Sequence, residues 1–140
     1  MNFEGGILDA KEFSVKSCKA TVQKTGKLGF SAAATEVLGL AEGKSVLVSE
    51  LNDKDLAMVV LSNNLDSRGF ELIKSSDYFA LKMKSFFDQR GYDYANENVT
   101  IIYDIVKMKE AYNGLPIFKL TYREKKKRNL ATKKDVALSE

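Results

Sequence analysis

The side chains that most often carry out catalysis or bind metals are scarce in this chain. It contains no histidine, and Cys18 is its single cysteine. Histidine is the side chain that most readily exchanges a proton near neutral pH, and zinc sites are built largely from cysteine and histidine. The sequence therefore predicts no metal site and no cofactor.

The remaining candidates for chemistry are two pairs of carboxylates and one serine. Asp53 and Asp55 fall in an expected hairpin loop, and Asp88 and Asp93 flank the end of an expected helix. Turn and surface roles account for such carboxylates more simply than acid–base catalysis does. Ser31 has no histidine to activate it and precedes three alanines, so we expect it to cap a helix. We predict that the protein is not an enzyme.

The elements that position these residues follow the same order twice. Alternation of apolar and polar residues and helical spacing predict strand, strand, helix, strand and strand in 13–62, and the same order in 70–123. Gly39 and Gly43 are the two candidates for ending the first helix, Gly91 is expected to end the second, and Asn113-Gly114 is a strong hairpin signal. The alternative is that the two stretches are unrelated and only alternate similarly. It stays open because few residues are identical between them.

The repeated order predicts an α+β fold of two similar units, in which an antiparallel sheet packs against two short helices. The expected organisation is a flexible arm at 1–12, one domain at 13–123 composed of units 13–62 and 70–123, and a basic tail at 124–140. The 140 residues, 44% of them apolar, suffice for one core without a disulfide. Short strands near the ends of the units favour self-association, so we expect a homo-oligomer.

The expected location is cytoplasmic. The N-terminus lacks the basic and apolar regions of a signal peptide, and the longest apolar run, 56–61, is the length of a strand. A lone thiol is also more typical of a reducing compartment. We therefore expect a soluble protein with no membrane partner.

The net charge of +3 is unevenly distributed along the chain. Between Arg123 and Lys134 there are seven basic residues and one acid, Glu124, which gives this segment a charge of +6. The rest of the chain has 15 basic and 18 acidic residues and carries −3. Such a basic run is usually a solvated tail, although it also attracts phosphate polymers in a salt-dependent way.

Residues 20–50 resemble the AbrB-type swapped-hairpin transcription regulators. The resemblance lies in Lys-Thr-Gly-Lys-Leu-Gly-Phe-Ser at 24–31 and in Val-Leu-Gly-Leu-Ala-Glu-Gly-Lys-Ser-Val-Leu-Val at 37–48. In that family, two strands joined by a tight turn precede a short helix that ends in Leu-Gly-Leu, and two chains interlock into a DNA-binding dimer. The resemblance implies that Lys24 and Lys27 contact phosphates or bases.

A second resemblance concerns architecture alone. Four expected strands followed by a helix, from Ser45 to Arg90, are similar to the unit of the Whirly, PC4-like and PUR-type nucleic acid binders. Those proteins use curved sheets that carry basic and aromatic side chains, on which bases stack. The resemblance and the basic tail give further candidate contacts, while core packing is the alternative role for the aromatic residues. These candidates are Lys74, Tyr78, Lys82, Arg123, Lys125, Lys126, Lys127 and Arg128.

Together these features predict a non-enzymatic nucleic acid-binding protein, in its most specific form a small DNA-binding regulator. The alternative is a protein-interaction or assembly module with no nucleic acid role. The slightly acidic body favours that alternative, because a nucleic acid-binding surface should be basic.

Overall fold

The computed structural model describes residues 3–7 and 18–126. Within these ranges a 3-10 turn lies at Glu4–Gly6, and the two α-helices are α1 (Ala32–Leu38) and α2 (Lys84–Gln89). The strands are β1 (Lys19–Val22), β2 (Lys27–Phe30), β3 (Ser45–Glu50), β4 (Leu56–Leu61), β5 (Phe70–Glu71), β6 (Ile73–Ser75), β7 (Tyr78–Lys82), β8 (Val99–Tyr112) and β9 (Leu115–Lys126).

All of these strands join one antiparallel sheet that nearly closes into a barrel. Their order is β5-β3-β4-β9-β8-β1-β2-β7-β6, and strands make up 49% of the described residues against 14% for helices. The predicted α+β fold, with a sheet packed against two helices, is therefore wrong. The helices are too short to cover a sheet, since α1 buries only Ala34 and Leu38 and α2 only Phe87. The sheet instead curves on itself, so that its apolar face lies on the inside of the barrel.

The two units interlock within this single sheet. Inside the units, β1 pairs with β2, β3 with β4, β6 with β7 and β8 with β9. The pairs β1–β8, β2–β7, β3–β5 and β4–β9 join one unit to the other. β5 and β6 are separated only by Leu72, whose N–H donates to the carbonyl of Lys44 at 3.2 Å. The predicted order of elements is thus present in the described part of the first unit, and the second unit follows it with its first strand divided into β5 and β6. Neither unit forms a sheet of its own.

Several local predictions are confirmed. The hydroxyl of Ser31 accepts the N–H of Ala34 at 3.2 Å and caps α1, and Gly39 ends that helix in the left-handed conformation. Asn113 and Gly114 form the turn between β8 and β9, with φ angles of 48° and 78°. These features depend on neighbouring residues only, so the sequence determines them directly.

Side-chain alternation divides each strand between the barrel interior and the outer surface. On β2 and β7, Leu28 and Leu81 lie opposite each other and are fully buried, while Lys27 and Lys82, one residue along, face outward. The same alternation continues around the sheet. The interior residues are Ala20, Val22, Leu28, Phe30, Val46, Leu56, Met58, Leu72, Leu81, Ile101, Tyr103, Ile105, Phe118 and Leu120.

A cluster of aromatic rings packs the barrel where α2 meets it. The ring of Phe87 lies 5.0 Å from that of Tyr92, whose hydroxyl shares a hydrogen bond of 2.6 Å with the hydroxyl of Tyr103. Lys54 sits over the rings of Tyr92 and Tyr122, at 4.8 and 5.0 Å from their centroids. Burial raises the pKa of Tyr103 far above its usual range, so this phenol remains neutral. The cluster is a packing feature whose polar atoms already have partners.

Asp55 fastens the β3–β4 loop to β9. One carboxylate oxygen accepts the backbone N–H of Tyr122 at 2.9 Å, and the other accepts the amide of Asn52 at 3.1 Å. These hydrogen bonds, that of Tyr122 first, hold the pKa of Asp55 below its usual value. Because the folded pKa is depressed, the stability from this carboxylate is present above about pH 4 and is lost as the pH falls through the folded pKa.

We predict that Asp55→Asn is less stable than the natural protein at neutral pH, and that this difference disappears in acid. Asparagine keeps an oxygen that can accept the N–H of Tyr122, but it lacks the charge that strengthens the bond. Urea unfolding at about pH 7, 4 and 2 measures the difference. An unchanged difference at the lowest pH would contradict the assignment.

Candidate nucleic-acid interface

The turn between β1 and β2 is fixed tightly against α2. The N–H of Gln23 donates to the carbonyl of Lys27 at 2.8 Å, and the N–H of Gly26 donates to the carbonyl of Gln23 at 2.9 Å. Gly26 has a φ of +87°, and a Cβ at this position would lie 2.5 Å from the Cβ of Lys84. Only glycine tolerates both the left-handed backbone and this close approach. The first residues of β2 therefore have a defined position.

Lys24, the first candidate contact from the family resemblance, is used within the fold. Its ammonium donates to the backbone carbonyl of Val99 at 2.9 Å and also to that of Asn96. Val99 is the first residue of β8 and Asn96 lies in the turn before it, so Lys24 ties the β1–β2 turn to the second unit. We assign it this structural role and leave it out of the candidate interface.

Lys27 and Lys82 form a like-charge pair on the outer surface. They are directly opposite in the antiparallel register of β2 and β7, which places their Cβ atoms about 4.5–5.5 Å apart. Among the described residues neither forms an ion pair. Like charges that face each other across strands destabilise a sheet. The pair also joins the two units, since β2 belongs to the first and β7 to the second.

Tyr78, on β7, belongs to the same surface, and its side chain reaches across β2 to Gln23, just after β1. A Cβ on Gly29 would be 3.4 Å from Cε2 of Tyr78 and closer still to the side-chain amide of Gln23. The Tyr78 hydroxyl donates to the Gln23 side-chain oxygen at 3.4 Å. Its pKa is lowered, mainly by a hydrogen bond with Ser75 and further by Gln23 and the charge of Lys27. The ring therefore covers the glycine beside Lys27.

The other side of this surface contains a partly neutralised cluster on β1, β8 and β9. Arg123 donates to both oxygens of Asp104, at 2.8 and 3.1 Å, and Asp104 lies opposite Lys19 in the β1–β8 register. The hydrogen bond with Arg123 is the main cause of a lowered Asp104 pKa, and Lys19 adds to it. Lys125 follows two residues beyond Arg123, on the same face and opposite Thr100.

These outward positions together form the surface that we call the basic face. It is defined by Lys19, Lys27, Lys82, Arg123 and Lys125, on β1, β2, β7 and β9. The outward positions of β1, β2 and β7 and of the neighbouring segments 99–104 and 121–126 include one acidic residue, Asp104. Lys19 was not among the contacts predicted from the sequence, although Ala20 and Val22 on the inward side give the alternation that places it outside.

The remaining predicted contacts lie elsewhere. Lys74, on β6, is opposite Phe79 of β7. It lines an open pocket of about 750 Å³, which Glu71 and Lys82 also line. Lys126 is opposite Val99, at the end of β9. β9 thus includes the first three residues of the expected tail, 124–126. Lys127 and Arg128 lie outside the described residues.

A second surface, on the outer side of β3 and β4, is apolar. The distal half of the β8–β9 hairpin lies beside these strands, where two extra residues on β8 break the register between Lys107 and Ala111. A groove of about 580 Å³ lies there, and we call it the apolar groove. Its lining residues are Leu47, Val48, Ser49, Leu51, Ala57, Met58, Val59, Arg68, Met108, Glu110, Tyr112 and Ile117.

Comparison with known proteins gives no relative from which to infer a function. No protein-family model, curated protein or solved structure matches the chain. Within 3–7 and 18–126, no group of three or more acidic, cysteine or histidine side chains is arranged to hold a metal ion. None of the helices in those ranges is long and apolar enough to cross a membrane. The basic face and the apolar groove are therefore the features from which a function can be inferred.

Proposed function

We propose that the protein binds nucleic acid through the phosphate backbone, using the basic face. The observation that carries this proposal is the Lys27–Lys82 pair, in which two cations face each other without an acid between them. A DNA-binding role as a small regulator, which the family resemblance implies, is one form of this function. A cytoplasmic location, expected from the single thiol, belongs to the same proposal.

An anionic ligand would remove the cost of this pair. Opposed like charges destabilise a sheet, where favourable cross-strand pairs contribute about 0.2–1 kcal/mol, and a phosphate between the two ammonium groups would reverse the sign of the interaction. The cations of the basic face extend from β9 to β7. A single phosphate cannot contact groups so widely spaced, whereas a polymer of phosphates can. This spacing supports a nucleic acid in preference to a small anion.

The slightly acidic charge of the body is compatible with this proposal, because the charges are segregated. The part of the chain outside 123–134 carries −3 overall, yet the basic face combines five cations with one acid, Asp104. A local positive field is sufficient to attract a polyanion at moderate salt concentration. The tail remains a competing source of attraction, so an experiment must separate the two.

We predict that the full-length chain still binds nucleic acid after the tail has been neutralised by Lys127→Gln, Arg128→Gln, Lys133→Gln and Lys134→Gln. Fluorescence anisotropy with labelled single- and double-stranded oligonucleotides, at salt concentrations from about 50 to 200 mM, measures the affinity. Binding that persists and weakens steeply with salt supports the basic face. Complete loss of binding would show that the tail alone attracted the nucleic acid.

The apolar groove favours the second candidate function, a protein-interaction module that forms a homo-oligomer. Leu51 and Tyr112 in its lining are 44% and 39% exposed and lie in one groove with Leu47, Ala57 and Val59, and a contiguous apolar patch of this kind is typical of an interaction site. We predict that the chain self-associates and that Leu51→Glu shifts it toward monomer in sedimentation velocity. Val37→Glu is the matched control, since Val37 is 57% exposed and lies on α1, outside the groove. Identical sedimentation of the natural protein and Leu51→Glu would exclude this role.

A further inference from the structure

We propose that the ligand of the basic face is a single strand of nucleic acid that wraps around the barrel, rather than a duplex. This inference rests on the proposed function and specifies its substrate class. It follows from how the cations are arranged on a curved surface, which is a property of the barrel.

The cations at the two ends of the basic face lie far apart around the barrel. Lys125 is on β9 and Lys82 is on β7, and the strands between them are β8, β1 and β2. Strands are about 4.8 Å apart, so four strand-to-strand steps span roughly 19 Å along the sheet. In a nearly closed sheet of nine strands, four steps cover close to half of the circumference. The two lysines therefore point in widely different directions.

The lysines at the two ends nevertheless lie on one line across the strands. Lys125 is opposite Thr100, and Lys27 is opposite Lys82. Gln23 connects the two pairs. Its N–H donates to the carbonyl of Lys27, and because Val22 is opposite Ile101, the next residue, Gln23, lies beside Thr100. A ligand that contacts the whole basic face must run across the strands and around the barrel. A path along one strand would contact only one or two of its cations.

The curvature of this path discriminates between the two forms of nucleic acid. A duplex is stiff, with a persistence length of about 50 nm, and bending a short site by 40–90° costs on the order of 1–6 kcal/mol. Such a rod would touch a convex barrel over a short arc and would reach either end of the basic face but not both. A single strand bends freely and can follow the surface from Lys125 to Lys82.

The surface between the cations is suited to backbone contacts rather than to base recognition. Gly29 and Ala80, which are opposite each other on β2 and β7, are small and buried, and Thr21 continues their line on β1. Tyr78 is the aromatic residue on this part of the surface, and its ring packs against Gly29 instead of standing free. Few bases can stack on such a surface. We therefore expect weak dependence on base sequence and strong dependence on salt.

Titration of the full-length, tail-neutralised chain tests this inference. The probes are labelled oligothymidine of about 12 nucleotides and a mixed-sequence duplex of the same length. We expect the single strand to bind at least about tenfold more tightly at about 50 mM salt, with a logarithmic salt slope near 3, as about 0.7 per contact for four to five contacts predicts. Lys82→Gln and Lys125→Gln should each lower that slope by about 0.7.

The matched control is Lys107→Gln, which removes one exposed charge from the distal half of β8, outside the basic face. Its slope should equal that of the parent chain. A duplex that binds as tightly as the single strand, or a slope that responds to Lys82→Gln but not to Lys125→Gln, would overturn the wrapped path while leaving the proposed function intact. Failure to bind either probe would overturn both.

Discussion

Replacement of Phe87 by alanine is expected to lower the free energy of unfolding by about 3–5 kcal/mol. Phe87 is fully buried and is the single buried residue of α2. Its ring contacts those of Phe86, Tyr92 and Tyr94, with centroids 5.6, 5.0 and 6.2 Å away. Alanine would leave a cavity that the surrounding rings cannot close by shifting toward one another. It would also remove the side chain that fixes α2 to the barrel.

Urea unfolding followed by circular dichroism measures this loss. A domain of this size has about 5–15 kcal/mol of stability in total, so the loss in Phe87→Ala is a large part of it. Phe87→Leu retains a large apolar side chain and keeps the effect measurable if the alanine variant does not fold. Phe86→Ala is the control on the same helix, because Phe86 is only half-buried. A loss for Phe87→Ala no larger than that for Phe86→Ala would contradict the central position that we assign to Phe87.

Replacement of Lys27 by glutamate is expected to stabilise the fold and to weaken nucleic acid binding. The introduced carboxylate would form an opposite-charge pair with Lys82 across β2 and β7, which adds about 0.2–1 kcal/mol to the free energy of unfolding. Loss of one phosphate contact at about 50 mM salt lowers the affinity by roughly tenfold, and the new negative charge lowers it further. Opposite effects on stability and on binding are the signature of a residue retained for its ligand.

Both quantities can be measured on the same preparation, by urea unfolding and by fluorescence anisotropy at low salt. Lys107→Glu provides the control, because it changes the net charge equally at an exposed position outside the basic face. We expect Lys107→Glu to leave the affinity within about twofold of the parent value, as the charge lies away from the contact path. An equal loss of affinity in both variants would indicate that only the net charge matters, and the basic face would lose its support.

The fold was predictable in its parts but not in its assembly. Ser31, Gly39 and Asn113-Gly114 adopt the structures that their sequence context predicts, because caps and turns depend on a few adjacent residues. The order of strands and helices was also evident. The predicted packing of a sheet against two helices was wrong, since it assumed that α1 and α2 could cover an apolar face that they are too short to cover.

The candidate site shows the same division between local and distant information. Lys27 and Lys82 were both predicted to contact nucleic acid, but nothing in the sequence indicated that they face each other, because they come from different units. Lys24 was expected to act beside Lys27, yet its ammonium bonds to the carbonyls of Asn96, just before β8, and of Val99, its first residue. The outward position of Lys19 follows from the alternation of Ala20 and Val22, but its place opposite Asp104 does not, because Asp104 is remote in the chain.

The sequence by itself therefore determined the elements, the turns between them and the face that each side chain occupies within its own strand. The tertiary structure decided which strands are neighbours and in which register they pair. Alternation is a property of a single strand, whereas register between distant strands depends on how their apolar faces pack together, and a shift of one residue would turn every side chain to the opposite face. The pairing of β2 with β7 in the curved sheet placed Lys27, from one unit, opposite Lys82, from the other.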